Sequence, residues 1–178
     1  INQVLQAPGR HVQTVAQASF DAWVKFYRMD ENTPNATISY YSKGALVALC
    51  LDLTLRNEGS TLDDVMRALW QRCDGGAMAE SDLRAVLQQL TGRSFDAEID
   101  AWVHSTADLP LAQLLAAHGV ALQPEAAQPA QRLGLRVSEN HAVQIKTVLR
   151  GGLAERAGMA AGDEWLGLEE DGQGRRLS

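Results

Sequence analysis

Few of the side chains in this 178-residue chain that could bind a metal, attack a carbonyl or carry a proton stand in a pattern. The four histidines, His11, His104, His118 and His141, lie far apart. None has a second His or Glu at the spacing that lets one helix face offer two ligands to a metal. Cys50 and Cys73 form no Cys-x-x-Cys pair and read as small buried hydrophobes. Tyr40 and Tyr41 are adjacent phenols with a reference pKa of about 10, so they stay protonated at neutral pH and can donate a hydrogen bond. On pattern alone, Tyr41 reads as a core tyrosine with a satisfied hydroxyl. Asp52 stands in an apolar stretch and needs a partner if buried, and Arg56, four residues on, is the simplest one.

The elements that must position these residues are mostly helices. Val12, Val15, Ala16, Phe20, Trp23, Val24 and Tyr27 fall at helical spacing and predict one helix over 12–27 with that stripe inward. Asp30 to Asn35 is dense in turn-formers. From Lys43 to about Asn57 a second helix is apolar on every side through Ala45–Leu51, which predicts central burial, with Gly59 as its C-terminal cap and Gly44 allowing close helix packing. Ser60 or Thr61 caps a third helix with Leu62, Val65, Met66, Leu69 and Trp70 on its inner face. Ser81 caps a fourth that ends at Gly92, and Ser94 begins a fifth through Phe95, Ile99 and Trp102. Leu109-Pro110 opens a last short helix that ends at Gly119.

The pattern then changes. Gln123 to Gln131 has two prolines, three alanines and no large hydrophobe, which reads as a linker. Leu133–Val137 and Ala142–Val148 alternate like strands, and Gly151-Gly152 precedes a short helix from Leu153. The expected architecture is a mainly helical domain over 1–122, a linker over 123–131 and a small β-rich domain over 132–178.

Composition narrows the function. A net charge of −6 offers no basic face to displace counterions from phosphates, which argues against nucleic acid as a partner. The longest apolar run, Ala45 to Leu51, is too short to cross a bilayer, so no membrane partner is expected. The two unpaired cysteines fit a reducing compartment, making the cytoplasm the expected location, with the periplasm as the alternative. The chain opens on Ile1 and stops after Arg176-Leu177-Ser178, and both ends are expected to be cuts within a longer protein.

Two strings carry a resemblance. Ser39-Tyr40-Tyr41-Ser42-Lys43-Gly44, opening a buried apolar helix, resembles the corresponding segment of zinc aminopeptidases of the gluzincin group. With Phe20–Tyr27 and Asp30–Asn35 before it, the chain is similar to the glycyl aminopeptidase family. Leu133-Gly134-Leu135, Val148–Met159 and Ala161-Gly162-Asp163-Glu164 resemble a bacterial PDZ domain, which that family places after its helical catalytic region. Gly152-Leu153 stands where Ser-Pro is usual, and the second PDZ helix and last strand have no counterpart here.

The resemblance implies a zinc-dependent aminopeptidase favouring small N-terminal residues such as Gly, with peptides as substrates. It implies that Tyr41 donates to the oxyanion, with Tyr40 as its neighbour. Zinc ligands are expected in the parent protein, upstream of Ile1, and no metal is expected on this chain, which alone is expected to be inactive. Glu31, Asn32 and Asn35 either hold the substrate amine or build the turn. Lys43 is either a surface lysine or one half of a buried ion pair. Leu133, Gly134 and Leu135 either bind a peptide, as in PDZ domains, or only shape the strand entry. The alternative to an enzyme is a helical scaffold with a PDZ interaction module.

Overall fold

A computed structural model of the chain describes residues 1–123, 126–170 and 172–176. Pro124 and Glu125 of the expected linker and the terminal Leu177 and Ser178 lie outside the described residues. The order begins α1 (Asn2–Leu5), a 3₁₀ turn (Pro8–His11), α2 (Val15–Phe20), a π-helical turn (Ala22–Phe26), α3 (Thr33–Ala36) and α4 (Tyr40–Asn57). Next come α5 (Leu62–Cys73), α6 (Glu80–Thr91), α7 (Asp96–Trp102) and α8 (Leu111–Ala117). After α9 (Pro129–Leu133) follow β1 (Leu135–Glu139), β2 (Val143–Val148), α10 (Leu153–Arg156), β3 (Gly167–Glu170) and β4 (Gln173–Arg176). A mainly helical part thus precedes a small β-rich part.

The apolar stretch of α4 makes it the central helix. Leu46, Val47, Cys50, Leu51, Leu53 and Leu55 are all buried, with only Ala45 of the 45–51 run turned to solvent. Val65 and Leu69 of α5, Val86 and Leu87 of α6, Ile99 and Trp102 of α7 and Leu111 of α8 join the same cluster, together with Phe95. Each fully buried Leu, Ile or Phe contributes about 1.5–3 kcal/mol of transfer free energy. The helix starts at Ser39, whose hydroxyl accepts from Ser42 N at 3.2 Å, and it gives way to Gly59 at φ 78°. Asp52 takes both predicted and unpredicted partners: Arg56 Nε donates to Oδ2 at 2.8 Å, and Leu62 N, the first amide of α5, donates to Oδ1 at 2.9 Å.

Four local expectations need correction. The predicted helix over 12–27 breaks at Asp21 into α2 and the π-helical turn, closed by Tyr27 N donating to Ala22 O at 3.2 Å. Of the expected stripe, Val15 packs against the core, whereas Val12, Phe20, Trp23, Val24 and Tyr27 face solvent and the small Ala18 and Ala22 are the buried residues. On α5, Val65 and Leu69 point inward but Met66 and Trp70 are exposed. The N-cap of α6 is Ala79 rather than Ser81, and Asp82 Oδ2 accepts from Ala79 N at 3.0 Å. Gly44 has nothing within 4 Å of where a Cβ would stand; the close approach is instead at Gly9, where a Cβ would lie 2.0 Å from Thr37 O.

In the β-rich part, β1 and β2 pair antiparallel from Leu135↔Val148 to Glu139↔Val143, with an irregularity between Arg136 and Val137. The far edge of β2 is covered, because Ile145 N donates to Asp163 O and Trp165 N to Val143 O. The sheet order leaves β1 as the open edge. Leu135, Ile145 and Ala154 form a second cluster with Val137, Met159 and Trp165 around them. The stretch read as a linker ends inside α9, which begins at Pro129 and runs to Leu133, with Pro129 in the first turn where a missing N–H costs nothing.

Hydrogen bonds between residues 1–123 and 126–176 come, among the described residues, from Asn35 alone. Its Nδ2 donates to Val148 O at 2.8 Å, and its Oδ1 accepts from Arg150 N at 2.8 Å. One side-chain amide thus caps the end of β2 as a neighbouring strand would.

Candidate functional site

The first turn of α4 projects Tyr41 outward. Its backbone is fixed by the Ser39 cap below and by the buried face of the helix behind, yet the residue is 60% exposed. The Tyr40 and Tyr41 rings lie with centroids 4.3 Å apart and planes 31° apart. Phe26, delivered by the π-helical turn, meets Tyr40 edge-on at 5.3 Å and Tyr41 at 5.8 Å. Tyr27 packs edge-on against Phe26 at 5.3 Å, and Trp23 lies 5.2 Å from Tyr27. Five aromatic rings therefore hold one another at the α4 entrance, in tilted and edge-on arrangements that add to simple burial.

This cluster polarises its hydroxyls. The Tyr40 hydroxyl first, and then that of Tyr27, hold the Tyr41 phenol below the ordinary phenol pKa, because they stabilise its ionised form. Tyr40 moves the other way, raised by Tyr27 first and then by Tyr41. Tyr41 is also the more exposed of the adjacent pair.

Lys43 is settled by the structure. It is 2% exposed, and burial lowers its pKa, partly offset by Asp108 and reinforced by Arg10. Asp108 is itself paired with Arg10 at 2.9 Å, and among the described residues no carboxylate stands within 4.0 Å of the Lys43 amine. Lys43 is therefore a buried lysine outside any ion pair rather than a surface one.

The other sequence candidates do not converge on Tyr41. Asn35 is buried, and its amide is committed to Val148, Arg150 and Asn32 Oδ1, the last at 3.1 Å. Asn32 and Glu31 are exposed, and Glu31 lines a shallow cavity with Gln144 and Lys146 on the β2 side. Leu133 ends α9, and Leu135 is buried in the second cluster. Gly134, at φ 79°, passes so close to Gly152 that an added Cβ would lie 3.0 Å from its Cα. Backbone packing accounts for Gly134, while Leu135 also lines a cavity of about 800 Å³ beside the open edge of β1.

Sequence reasoning missed the grouping of Phe26, Tyr27 and Trp23 with the tyrosine pair. The available signal was their aromatic character immediately before a turn, which a buried-stripe reading absorbed. It also missed Arg136, which nothing in the alternation of β1 distinguishes. No three or more His, Cys, Asp or Glu converge among the described residues in a way that could hold a metal ion.

Residues 1–47 match the family model of the M61 glycyl aminopeptidases. The matched stretch runs from α1 into α4 and includes the aromatic cluster, Tyr41, Lys43 and Gly44. No curated protein and no solved structure matches the chain. No described helix is long and apolar enough to cross a membrane.

Proposed function

We propose that this chain is part of a metallo-aminopeptidase of the glycyl aminopeptidase type, acting on peptides with small N-terminal residues, in which Tyr41 stabilises the oxyanion. The carrying observation is an exposed phenol on the first turn of a buried helix, inside the stretch that resembles that family. A protonated phenol donates to the oxygen that becomes negative when a peptide carbonyl turns tetrahedral, and a donor already held in place loses little on reaching it. Phe26 and Tyr40 hold the ring, and the Ser39 cap and the buried face of α4 hold the backbone.

The residues described here do not fit a zinc site. On this reading the metal belongs to the parent protein, with ligands outside the described residues. Of the three residues expected to hold the substrate amine, Glu31 and Asn32 are exposed, whereas Asn35 is taken up by the tie to β2. The test is hydrolysis of a glycyl anilide by the parent protein, with loss on chelation and recovery with zinc. A correctly folded, zinc-loaded parent that leaves glycyl, alanyl and seryl substrates intact would end the proposal.

A second reading has its own observation. The open edge of β1 faces a cavity of about 800 Å³ lined by Leu135, Val137, Trp165 and Leu168, which suits strand addition by an extended peptide, as in a PDZ domain. Slower amide exchange in β1 on adding an extended peptide would support it, and unchanged exchange would dismiss it.

A further inference from the structure

A second, smaller cavity of about 350 Å³ lies between α1, α3 and the first turn of α4. Arg136 of β1, itself exposed, lines it from the β-rich side and is the one charged residue among the described ones that does so. Among the described residues no Asp or Glu lines this space, in a chain whose net charge is −6. Among the described residues, Arg136 has no carboxylate within ion-pair distance.

The polar side chains around it divide into engaged and available. The Ser39 hydroxyl accepts from Ser42 N, and the Thr37 hydroxyl donates to Thr33 O. Gln3, Gln6 and Ser42 also line the cavity, and their side chains make no hydrogen bond to protein among the described residues. Phe26, the ring that steadies Tyr41, forms part of the apolar wall.

The position of Arg136 is set rather than incidental. Asn35 bonds to Val148, Val148 pairs with Leu135 across the ladder, and Arg136 follows Leu135. The tie between the two parts of the chain therefore places the Arg136 backbone beside the Tyr41 turn, with its exposed side chain at the mouth of a cavity that no described Asp or Glu lines.

We propose that this cavity is a carboxylate-binding site, with Arg136 as the cationic partner and Ser42, Gln3 and Gln6 as additional donors. A guanidinium fork matches a carboxylate in two parallel hydrogen bonds, and a cavity of this size admits only a small ligand. The ligand class is a small carboxylate, either the C-terminus of a very short peptide or a free organic acid. Binding is read on this chain directly, so it stands or falls separately from any catalytic role of Tyr41.

The experiment is a chemical-shift titration of the ¹⁵N-labelled 178-residue chain with Gly-Gly, with Gly-Gly amide and with acetate. Gly-Gly is expected to give saturable shifts at Ser42, Thr37 and the Arg136 side chain, with affinity falling as salt is raised. Gly-Gly amide should bind at least about tenfold more weakly, and Arg136→Gln should lose Gly-Gly binding by a similar factor while Arg136→Lys keeps part of it. Acetate binding as well as Gly-Gly assigns the site to free acids, and much weaker acetate binding assigns it to peptide termini. Absence of saturable shifts, equal binding of the amide, or Gly-Gly affinity unchanged in both Arg136 variants would each overturn the proposal. If Arg136→Gln does not fold, Arg136→Lys and the salt dependence of the unaltered chain decide.

Discussion

Replacing Asn35 by alanine removes the hydrogen-bonded tie between the helical and β-rich parts. Two bonds of 2.8 Å are lost, one from Nδ2 to Val148 O and one from Arg150 N to Oδ1, together with the 3.1 Å bond to Asn32. A hydrogen bond of this kind contributes about 1 kcal/mol net, so the two across the junction are worth about 2 kcal/mol, more if water cannot replace them. The helical cluster built on α4 shares no buried residue with the cluster around Leu135, so the loss should appear as local release rather than global unfolding. The assay is native-state hydrogen exchange: the Arg150 amide should exchange roughly 30-fold faster in Asn35→Ala, while amides at the centre of α4 keep their protection. Asn35→Asp should be no better, since it keeps the acceptor for Arg150 N but turns a carboxylate oxygen toward Val148 O. Arg150 exchanging at the unaltered rate in both variants would refute the reasoning.

Three further outcomes are expected. Gly9→Ala should lower the unfolding free energy by more than about 2 kcal/mol in urea titrations, because its Cβ would overlap Thr37 O, whereas Gly44→Ala, inside a helix with open space, should gain about 0.5–1 kcal/mol. A thiol reagent at pH 8 should label Cys73 alone in the native chain and both cysteines in denaturant, because Cys50 is fully buried and burial raises its thiol pKa to about 11. Asp52 is held below the usual carboxylate pKa, first by Leu62 N and then by Arg56, so its contribution is present above the unfolded pKa of about 3.9 and lost as pH falls through the folded value. The melting-temperature gap between the unaltered chain and Asp52→Asn should accordingly be widest near neutrality and close as the pH drops below about 4.

Much of this fold can be read from local pattern. α4 is legible because apolar residues on every side leave no solvent-facing option, and the glycines at 59, 92 and 119, all at positive φ, mark helix ends that a side chain would strain. The Asp52–Arg56 pair follows from spacing alone. What escapes the pattern is tertiary. Within 12–27 the large members of the stripe other than Val15 face solvent, and helical periodicity cannot register the π-helical turn after Asp21. Asn35 reads as a turn-former because the groups it bonds lie 113 and 115 residues away. Lys43 stays open between a surface lysine and a buried ion pair because only the assembled helices show that it is enclosed and unpaired among the described residues. At the site, Tyr41 is reached through family resemblance, whereas its exposure and its aromatic support come from packing.

The central claim, that Tyr41 is a donor acting in a peptidase, is tested most directly by the turnover of Tyr41→Phe in the full-length parent protein. Phenylalanine keeps the ring contacts with Tyr40 and Phe26 and removes only the hydroxyl, and at 60% exposure that loss should leave stability unchanged. Removing one oxyanion donor costs on the order of 100- to 1,000-fold in kcat, about 3–4 kcal/mol, with little change in KM because the bond forms mainly in the transition state. The donor works only while protonated and its pKa is lowered, so the unaltered enzyme should lose kcat as pH rises, beginning below pH 10, and Tyr41→Phe should lack that limb. Tyr40→Phe should be milder. Near-normal kcat in a stably folded Tyr41→Phe enzyme, with the alkaline limb intact, would contradict the account.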